Sequence, residues 1–326
     1  MVQNNVGVVT LTYGDRFDYV SKNIKATLDL EHVKKMVVVM NGVSETTLSK
    51  LNNLSINEPK LIIHDLEHNA GSAKGFKEGI EKILEEDIEF IWLIDDDNLP
   101  QRDALSQLLK HWKLLNKENK PLYSLLSYRP DRNVYKEAIQ RNNPYFMLGP
   151  DNSFLGFHLI KKIKHLFFKD EKVQEIKRTG KVAVAPYGGM FFKRELIKLI
   201  GLPNESFFLY ADDHDFSYRI TKNGGEIVLV LDSVLTDLEK SFHLKKQNRV
   251  LKTRFFSTNS KDAIFYSVRN NIYFECNFVE SPIIYNLNKT IYIILLFFVM
   301  ISKPKDFWKF RLILKAIYAS KQMTND

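Results

Sequence analysis

The sequence contains a single cysteine, Cys276, among its 326 residues, which excludes an internal disulfide and any zinc site built on several thiolates. No catalytic pattern surrounds it, and we expect a buried, small apolar residue. Any bound metal would need carboxylate or imidazole ligands. No basic segment followed by an apolar run stands at the N-terminus, so we expect a cytoplasmic protein without a secretory signal or transit peptide.

Long apolar runs and compositional bias are also lacking. The longest apolar run, 291–301, is well short of the ~20 residues that cross a membrane. A composition of 44% hydrophobic and 26% charged residues is typical of a globular protein with a full core. The net charge of +8 suits an anionic partner such as a diphosphate-bearing substrate or a membrane surface. No nucleic-acid-binding motif accompanies that charge, so no nucleic-acid partner is expected.

Short runs of apolar and β-branched residues alternate with amphipathic stretches in the first part of the chain. They predict strands at 6–12, 36–40, 61–64 and 90–94 and helices at 17–30 and 72–85. Almost continuously apolar strands that alternate with helices favour a mostly parallel sheet with both faces covered. The predicted fold class is therefore α/β, with a Rossmann-like, doubly wound sheet.

Polar side chains follow the carboxyl ends of all four predicted strands. They are Arg16, Asn41, Asn69 and the triplet from Asp95 to Asp97. Open parallel sheets bind ligands in the crevice outside these strand ends. Four separate stretches of the chain are therefore expected to line one binding site.

The Asp triplet has the chemistry of a metal site. Three adjacent carboxylates repel one another, and a hard divalent cation such as Mn²⁺ or Mg²⁺ would relieve that repulsion. In an extended segment, Asp95 and Asp97 point to one side and Asp96 to the other. Asp95 and Asp97 are thus the expected metal ligands. The alternative is a solvated acidic turn before the next helix.

A second acidic cluster, Asp212 to Asp215, opens a predicted helix that ends near Asn223. Such clusters more often only cap a helix. If this one faces the same crevice, a carboxylate could accept the proton of an attacking hydroxyl group while the metal neutralises a leaving diphosphate. The turn at 186–189 is expected to bring backbone close to another group. The region 123–180 is interpreted as loops and short elements over the site.

In this order and spacing, the motifs resemble glycosyltransferase family 2, the inverting enzymes of the GT-A fold, over roughly residues 5 to 275. The motifs are Thr12-Tyr13-Gly14-Asp15-Arg16, Asn69-Ala70-Gly71-Ser72-Ala73-Lys74-Gly75-Phe76, Trp92-Leu93-Ile94-Asp95-Asp96-Asp97, Gly188-Gly189-Met190-Phe191-Phe192 and the segment from Phe207 to Arg219. The resemblance implies a metal-dependent hexosyltransferase that uses a nucleotide-sugar donor.

Within the family, the Asp triplet, the Asp pair and a later histidine resemble the galactofuranosyltransferase and rhamnosyltransferase branch of bacterial cell-surface glycan synthesis, which makes O-antigen and capsule. The branch implies that Asp95, Asp97 and His243 hold the metal and that Asp213 is the catalytic base, with Asp212 beside it. The implied donor-binding residues are Thr12, Arg16, Asn41, Asn69, Lys74 and Asp96. The implied acceptor-binding residues are Tyr187, Gly188, Gly189 and His214.

The resemblance also implies the substrates. UDP-galactofuranose is the favoured donor, dTDP-rhamnose is the alternative, and the acceptor is a growing lipid-linked glycan. A non-catalytic nucleotide-sugar-binding membrane scaffold is the alternative of a different class, although the intact pair Asp212 and Asp213 argues against it. Nucleotidyl transfer to a sugar phosphate would require a Gly-rich N-terminal signature that residues 6–20 lack.

The C-terminal segment 276–326 is predicted to be helical and to follow a glycosyltransferase domain at 1–275, with a nucleotide-sugar half at 1–120 and an acceptor half at 121–275. Lysines, arginines and aromatic residues mix at 303–321, which is typical of a membrane interface. We expect peripheral, monotopic attachment to the cytoplasmic face of the inner membrane. The alternative is a helical hairpin that packs on the core or on a subunit partner.

Overall fold

The computed structural model describes residues 4–167, 177–239 and 258–323. The chain divides into two compact units. The first comprises Met1–Tyr145, Glu175–Phe208 and Asp212–Ser241, and the second comprises Phe146–Gln174, Leu209–Ala211 and Phe242–Asp326. The predicted boundary after residue 275 differs from this division, because the second unit includes the helix Lys261–Glu275.

The described residues of the first unit form a nine-stranded sheet. Its strands are β1 (Val6–Gly14), β2 (Val33–Val43), β3 (Leu61–Asp65), β4 (Phe90–Leu93), β5 (Asn98–Pro100), β6 (Tyr123–Tyr128), β7 (Thr179–Val182), β8 (Met190–Lys193) and β9 (Glu226–Asp237). The order is β3-β2-β1-β4-β8-β6-β9-β5, and β7 pairs with β9. Strands β1 to β4 are parallel, as are β6 and β9, whereas β8 is antiparallel to both of its neighbours. The predicted mostly parallel α/β sheet is confirmed.

Helices cover this sheet. Those of the first unit are α1 (Phe17–Leu28), α2 (Glu45–Ile56), α3 (Gly71–Leu84), α4 (Ala104–Leu115), α5 (Asn133–Gln140), α7 (Leu196–Ile200) and α8 (Asp212–Lys222). Consecutive residues Val37, Val38 and Val39 are all fully buried, so both faces of β2 are covered. This burial explains why the strand is continuously apolar in sequence rather than alternating.

The region 123–180 contains regular structure that the sequence did not predict, including β6, α5 and α6 (Leu159–Phe167). Ser124 and Ser127 interrupt the apolar sequence pattern of β6, although both residues are buried. The Ser124 hydroxyl donates to the Phe191 carbonyl at 3.0 Å, and the Ser127 hydroxyl lies 2.9 Å from that of Ser233. Because these hydroxyl groups have partners, their burial costs little.

The second unit is built on α9 (Lys261–Glu275), α10 (Pro282–Ile301) and α11 (Phe307–Ala319), together with α6. Its core includes Val268, Leu296 and Ile313. Cys276, at the end of α9, is exposed, so the prediction of a buried cysteine is wrong. The side chain of buried Asn270 donates to the carbonyls of Leu209 and Tyr210, at 2.7 and 3.0 Å, and so fixes that short segment.

The carboxyl group of Glu275 is buried in this unit. It accepts hydrogen bonds from the Tyr285 hydroxyl at 2.9 Å and the Leu155 amide at 2.8 Å. Burial raises the pKa of Glu275 from 4.5 to about 8. The folded protein therefore holds a proton that the unfolded chain has released, and the free energy of unfolding must fall as the pH rises through this range.

We expect Glu275→Gln to remove this contribution to the pH dependence of the free energy of unfolding. The neutral amide keeps both contacts, because it can accept from the Leu155 amide and donate to the Tyr285 oxygen. Between about pH 5 and pH 9, the wild type should lose about 4 kcal/mol of unfolding free energy relative to the variant. Urea unfolding at several pH values measures this difference. Glu280→Gln, at an exposed glutamate, is the control and should follow the wild type. Parallel pH profiles for wild type and Glu275→Gln would contradict the assignment.

Candidate active site

The Asp triplet follows β4 and lies in a turn. The Asn98 amide donates to the Asp95 carbonyl at 3.0 Å, which closes the turn through Asp96 and Asp97. The Asn98 side chain donates to Asp237 at 3.0 Å and so ties this turn to the end of β9. The triplet is therefore a turn and not the extended segment from which the alternation of its side chains was predicted. Each carboxylate instead has its own environment.

Asp96 is buried and fully paired. Its carboxylate accepts from the Thr12 hydroxyl at 2.8 Å and from two nitrogens of Arg16, at 2.8 and 2.9 Å. Burial raises the pKa of Asp96, although these donors favour its charged form. Arg16 also donates to Glu239 at 2.6 Å, and its guanidinium lies over the Tyr13 ring. The structure therefore brings three predicted donor-binding residues together, bound to one another.

Asp95 is held by an arginine that the sequence analysis missed. Arg129 follows β6 and donates to Asp95 Oδ2 at 2.7 Å. Its other nitrogens form a two-pronged ion pair with buried Asp237, at 2.8 Å each. A Cβ atom at Gly188 would overlap both Arg129 Nη1 and Asp95 Oδ2. Glycine at 188 thus lets the turn at 186–189 pack its backbone directly on this ion pair.

Asp97, like Asp95, is half-buried. Burial, together with repulsion from Asp95 and Asp96, raises its pKa to about 7. A divalent cation would oppose both effects, because it stabilises the charged carboxylate. Asp95 and Asp97 therefore fit as two oxygen ligands of a hard cation.

The third predicted metal ligand, His243, lies outside the described residues. Within the described ranges, no group of three or more His, Cys, Asp or Glu side chains is arranged to hold a metal ion.

The predicted donor loop before α3 is shaped by two asparagines. Asn41 is buried on β2 and accepts from the Ala70 amide at 2.7 Å, while Asn69 accepts from the Gly71 amide at 3.0 Å. Both side chains therefore fix the backbone of this loop. Lys74, on α3, lies 3.9 Å from Glu205 at the surface. Their contact with a donor stays a prediction.

The second acidic cluster begins α8. Phe208, Tyr210 and Ala211, which precede it, have φ values of 62°, 69° and 60°. Side-chain-bearing residues adopt this left-handed conformation at a cost of about 1–3 kcal/mol each, and such residues concentrate at functional sites. The backbone that leads into Asp212 is therefore held in a costly conformation by its surroundings.

The two aspartates of the pair differ in exposure. Asp212 is buried and accepts from the Ser72 hydroxyl at 2.7 Å. Burial raises the pKa of Asp212, and the neighbouring charge of Asp213 raises it further. Asp213 is half-exposed and accepts from the His214 amide at 2.8 Å. Of the two, Asp213 is the carboxylate that a substrate can reach.

The turn at 186–189 lies between the two acidic clusters. Tyr187 is buried and stacks on Phe76 with ring centroids 4.1 Å apart. Burial raises its pKa, and the charges of Asp212 and Asp213 raise it further. Tyr187 thus lies within electrostatic range of the Asp pair, and its contact with an acceptor stays a prediction. Gly189 has a φ of 109° and donates to the Leu93 carbonyl at 2.8 Å, which anchors the turn to β4.

A buried tyrosine independently places the two clusters near each other. Burial raises the pKa of Tyr135, on α5, and the charges of both Asp213 and Asp95 raise it further. One phenol therefore experiences a carboxylate from each cluster. The structure thus brings the Asp triplet and the Asp pair within electrostatic range of the same residue, which is the condition that the sequence analysis set for a role of the second cluster.

One known protein family matches more than half of the chain. The model for glycosyl transferase family 2 matches residues 7–200. No curated protein sequence matches the chain.

Two solved structures share the fold. The structure of GalNAc-T7 with UDP, GalNAc and Mn²⁺ has a TM-score of 0.53 and 12% identity, over 82% of this chain and 47% of that one. Mannosyltransferase PcManGT from Pyrobaculum calidifontis, in complex with GDP-Man and Mn²⁺, has a TM-score of 0.53 and 12% identity, over 99% of this chain and 76% of that one. The chain thus spans about half the length of GalNAc-T7. At this identity the likeness shows the fold, while the family match, which covers more than half of the sequence, shows that the chain belongs to glycosyl transferase family 2.

Proposed function

We propose that the protein is an inverting, metal-dependent glycosyltransferase that moves a sugar from a nucleotide-sugar donor to an acceptor hydroxyl group. One observation carries the proposal. Two acidic clusters from distant parts of the sequence adjoin neighbouring residues of the turn at 186–189, because a Cβ atom at Gly188 would overlap Asp95 Oδ2 and buried Tyr187 lies within electrostatic range of Asp212 and Asp213. This arrangement provides ligands for a cation at one cluster and a reachable carboxylate at the other.

The chemistry assigned to the Asp pair is general-base catalysis. Asp213 accepts the proton of the acceptor hydroxyl as its oxygen attacks the anomeric carbon of the donor, and the nucleoside diphosphate leaves from the opposite face. Attack and departure on opposite faces invert the anomeric configuration. Burial and the neighbouring charge of Asp213 raise the pKa of Asp212, whereas Asp213 is the partly exposed carboxylate that an acceptor can reach.

A cation bound by Asp95 and Asp97 would neutralise the leaving diphosphate. In support of such a partner, GalNAc-T7 was solved with UDP and Mn²⁺, and the mannosyltransferase was solved with GDP-Man and Mn²⁺. Arg129 holds Asp95 in place and is itself fixed by Asp237. We therefore assign Arg129 as the residue that positions one metal ligand.

Arg129→Lys should weaken Mn²⁺ binding by about 10–100-fold, because lysine keeps the charge opposite Asp237 but cannot form the fork that aims the third nitrogen at Asp95. Isothermal titration with Mn²⁺ measures this change. Arg194→Lys is the matched control, since Arg194 bonds only to the carbonyls of a distant loop in the described contacts. Unchanged Mn²⁺ affinity in a folded Arg129→Lys protein would remove this role.

The proposed donor is UDP-galactofuranose and the proposed acceptor is a growing lipid-linked cell-surface glycan such as O-antigen or capsule. The support is the resemblance of the Asp triplet, the Asp pair and the later histidine to the galactofuranosyltransferase branch. A rhamnosyltransferase that uses dTDP-rhamnose is the second candidate.

The test is a panel of sugar nucleotides with Mn²⁺ or Mg²⁺, read as nucleoside diphosphate released with and without a lipid-linked acceptor. We expect one donor to support acceptor-dependent release. If a donor binds but none supports release with any lipid-linked acceptor, the non-catalytic nucleotide-sugar-binding scaffold is favoured instead.

A further inference from the structure

Helix α10, in the second unit, has one buried face and one exposed apolar face. Its buried residues are Tyr285, Asn288, Tyr292, Leu296 and Met300. Its exposed apolar residues are Ile283 (83% exposed), Leu287 (52%), Ile294 (49%), Phe297 (39%), Phe298 (64%) and Ile301 (54%). The exposed residues recur at spacings that place them on one side of the helix. We refer to these six residues as the α10 face.

The α10 face is large enough to indicate an interaction surface. Single exposed apolar residues are common on soluble proteins, but a continuous strip along a 20-residue helix marks an interaction surface. The hydroxyl of Thr290, a polar residue within the strip, donates to the Asn286 carbonyl of the same helix at 2.8 Å. That hydroxyl group is therefore satisfied without a partner, which suits contact with an apolar fluid as well as with a protein.

The charge around the α10 face distinguishes a lipid bilayer from a second copy of the protein as its partner. Residues 281–323 contain seven lysines and arginines and a single acidic residue, Asp306, which lies 3.3 Å from Lys309. Exposed basic residues follow the α10 face at Lys303 and Lys305 and continue on α11. Two copies of such a surface would repel each other, whereas an anionic lipid surface would attract it. Aromatic contacts join the two helices, with the Phe297 and Phe310 rings 5.6 Å apart.

We propose that the α10 face lies in the boundary between headgroups and acyl chains of an anionic lipid bilayer, with the helix parallel to the membrane plane. By length and composition α10 could cross a membrane, but crossing would withdraw Tyr292, Leu296 and Met300 from the core of the second unit. Insertion of one face preserves that packing, and the neighbouring basic residues contact the headgroups.

This assignment moves the attachment surface from the tail, where the sequence predicted it, to α10. Helix α11 packs into the core of the second unit through Phe310, Ile313, Ala316 and Ile317. This face of α11 is therefore not available to a membrane. Removing residues from Ser302 onward would expose this core. Substitutions at exposed positions therefore test the proposal better than truncation does.

The test compares full-length proteins by sedimentation with vesicles. The α10 variant carries Ile283→Gln, Leu287→Gln, Ile294→Gln and Phe298→Gln, and the control carries Ile56→Gln, Leu114→Gln, Leu115→Gln and Leu199→Gln at exposed apolar positions of the first unit. On vesicles of equal parts phosphatidylglycerol and phosphatidylcholine, the α10 variant should partition roughly 100-fold more weakly than wild type. The control variant should partition like wild type.

A second variant separates the charge from the apolar face. Lys303→Gln, Lys305→Gln, Arg311→Gln and Lys315→Gln together should weaken binding to the anionic vesicles, by roughly 5-fold per residue, and leave binding to pure phosphatidylcholine unchanged.

Failure of the wild type to bind anionic vesicles overturns the proposal. So does a wild-type dimer that the α10 substitutions dissociate, because a second copy would then occupy the face. Resistance of the bound wild type to alkaline carbonate would show a spanning helix and also overturn it. Sugar transfer is not a readout, so each outcome is independent of the proposed activity.

Discussion

Asp213→Asn is expected to reduce the rate of sugar transfer by about 10²–10⁴-fold while donor and metal still bind. Asparagine keeps the size of the side chain and can accept the same hydrogen bond from the His214 amide, but it cannot take a proton from the acceptor hydroxyl. Single-turnover transfer and donor affinity, measured with the same acceptor, separate loss of the chemical step from loss of binding.

Asp212→Asn is the matched control for this experiment. Burial raises the pKa of Asp212 and favours its neutral form, which asparagine resembles in shape and charge. The amide oxygen can also accept from Ser72, the donor that holds Asp212. We therefore expect a much milder loss than for Asp213→Asn. If Asp213→Asn transfers sugar near the wild-type rate, or if Asp212→Asn has the larger effect, Asp213 is not the base.

Asp97→Ala is expected to abolish measurable transfer and to weaken donor binding in the presence of Mn²⁺. The reason is electrostatic, because loss of one of the two proposed carboxylate ligands would weaken binding of the cation that is proposed to neutralise the leaving diphosphate. The raised pKa of Asp97 shows that its charge is unfavourable in the folded protein without a cation. The substitution should therefore leave thermal stability equal or higher, so lost activity cannot be explained by unfolding.

Donor affinity measured by calorimetry with and without Mn²⁺ tests this account. The wild type should gain affinity when Mn²⁺ is added, and Asp97→Ala should not. Asp131→Ala, at an exposed aspartate of the same unit, should behave like wild type. Wild-type turnover by Asp97→Ala after chelation and restoration of the metal would show that the metal assignment is wrong.

Elements with strong periodicity could be predicted from the sequence. The run from Met36 to Met40 is buried throughout, as its continuous apolar sequence predicts for a strand with both faces covered. The helices at 17–28 and 71–84 each have an apolar face that their sequence spacing predicts. Strand β6 was missed because Ser124 and Ser127 break its apolar pattern, while hydrogen bonds to distant residues make their burial acceptable. Such partners leave no local signal in a sequence.

The positions of several candidate site residues were predictable from the sequence, but their contacts were not. Strand ends indicated where Arg16 and the Asp triplet would lie, and the structure places them together. The same rule would have found Arg129 at the end of β6, had that strand been recognised. The contacts depend on the order of the strands in the sheet and on the turn at 95–98, which the assumption of an extended segment could not anticipate. These contacts are the pairing of Arg16 with Asp96 and of Arg129 with both Asp95 and Asp237.

The anomeric configuration of the transferred sugar is the measurement that tests the central claim most directly. The configuration at the anomeric carbon of the product formed from the donor that the panel identifies would be assigned by ¹H NMR. Because Asp213 is assigned as a base that activates the acceptor for direct displacement, the account predicts a covalent glycoside of configuration opposite to that in the donor. A glycoside that retains the donor configuration, or nucleotide release without any glycoside, would contradict it.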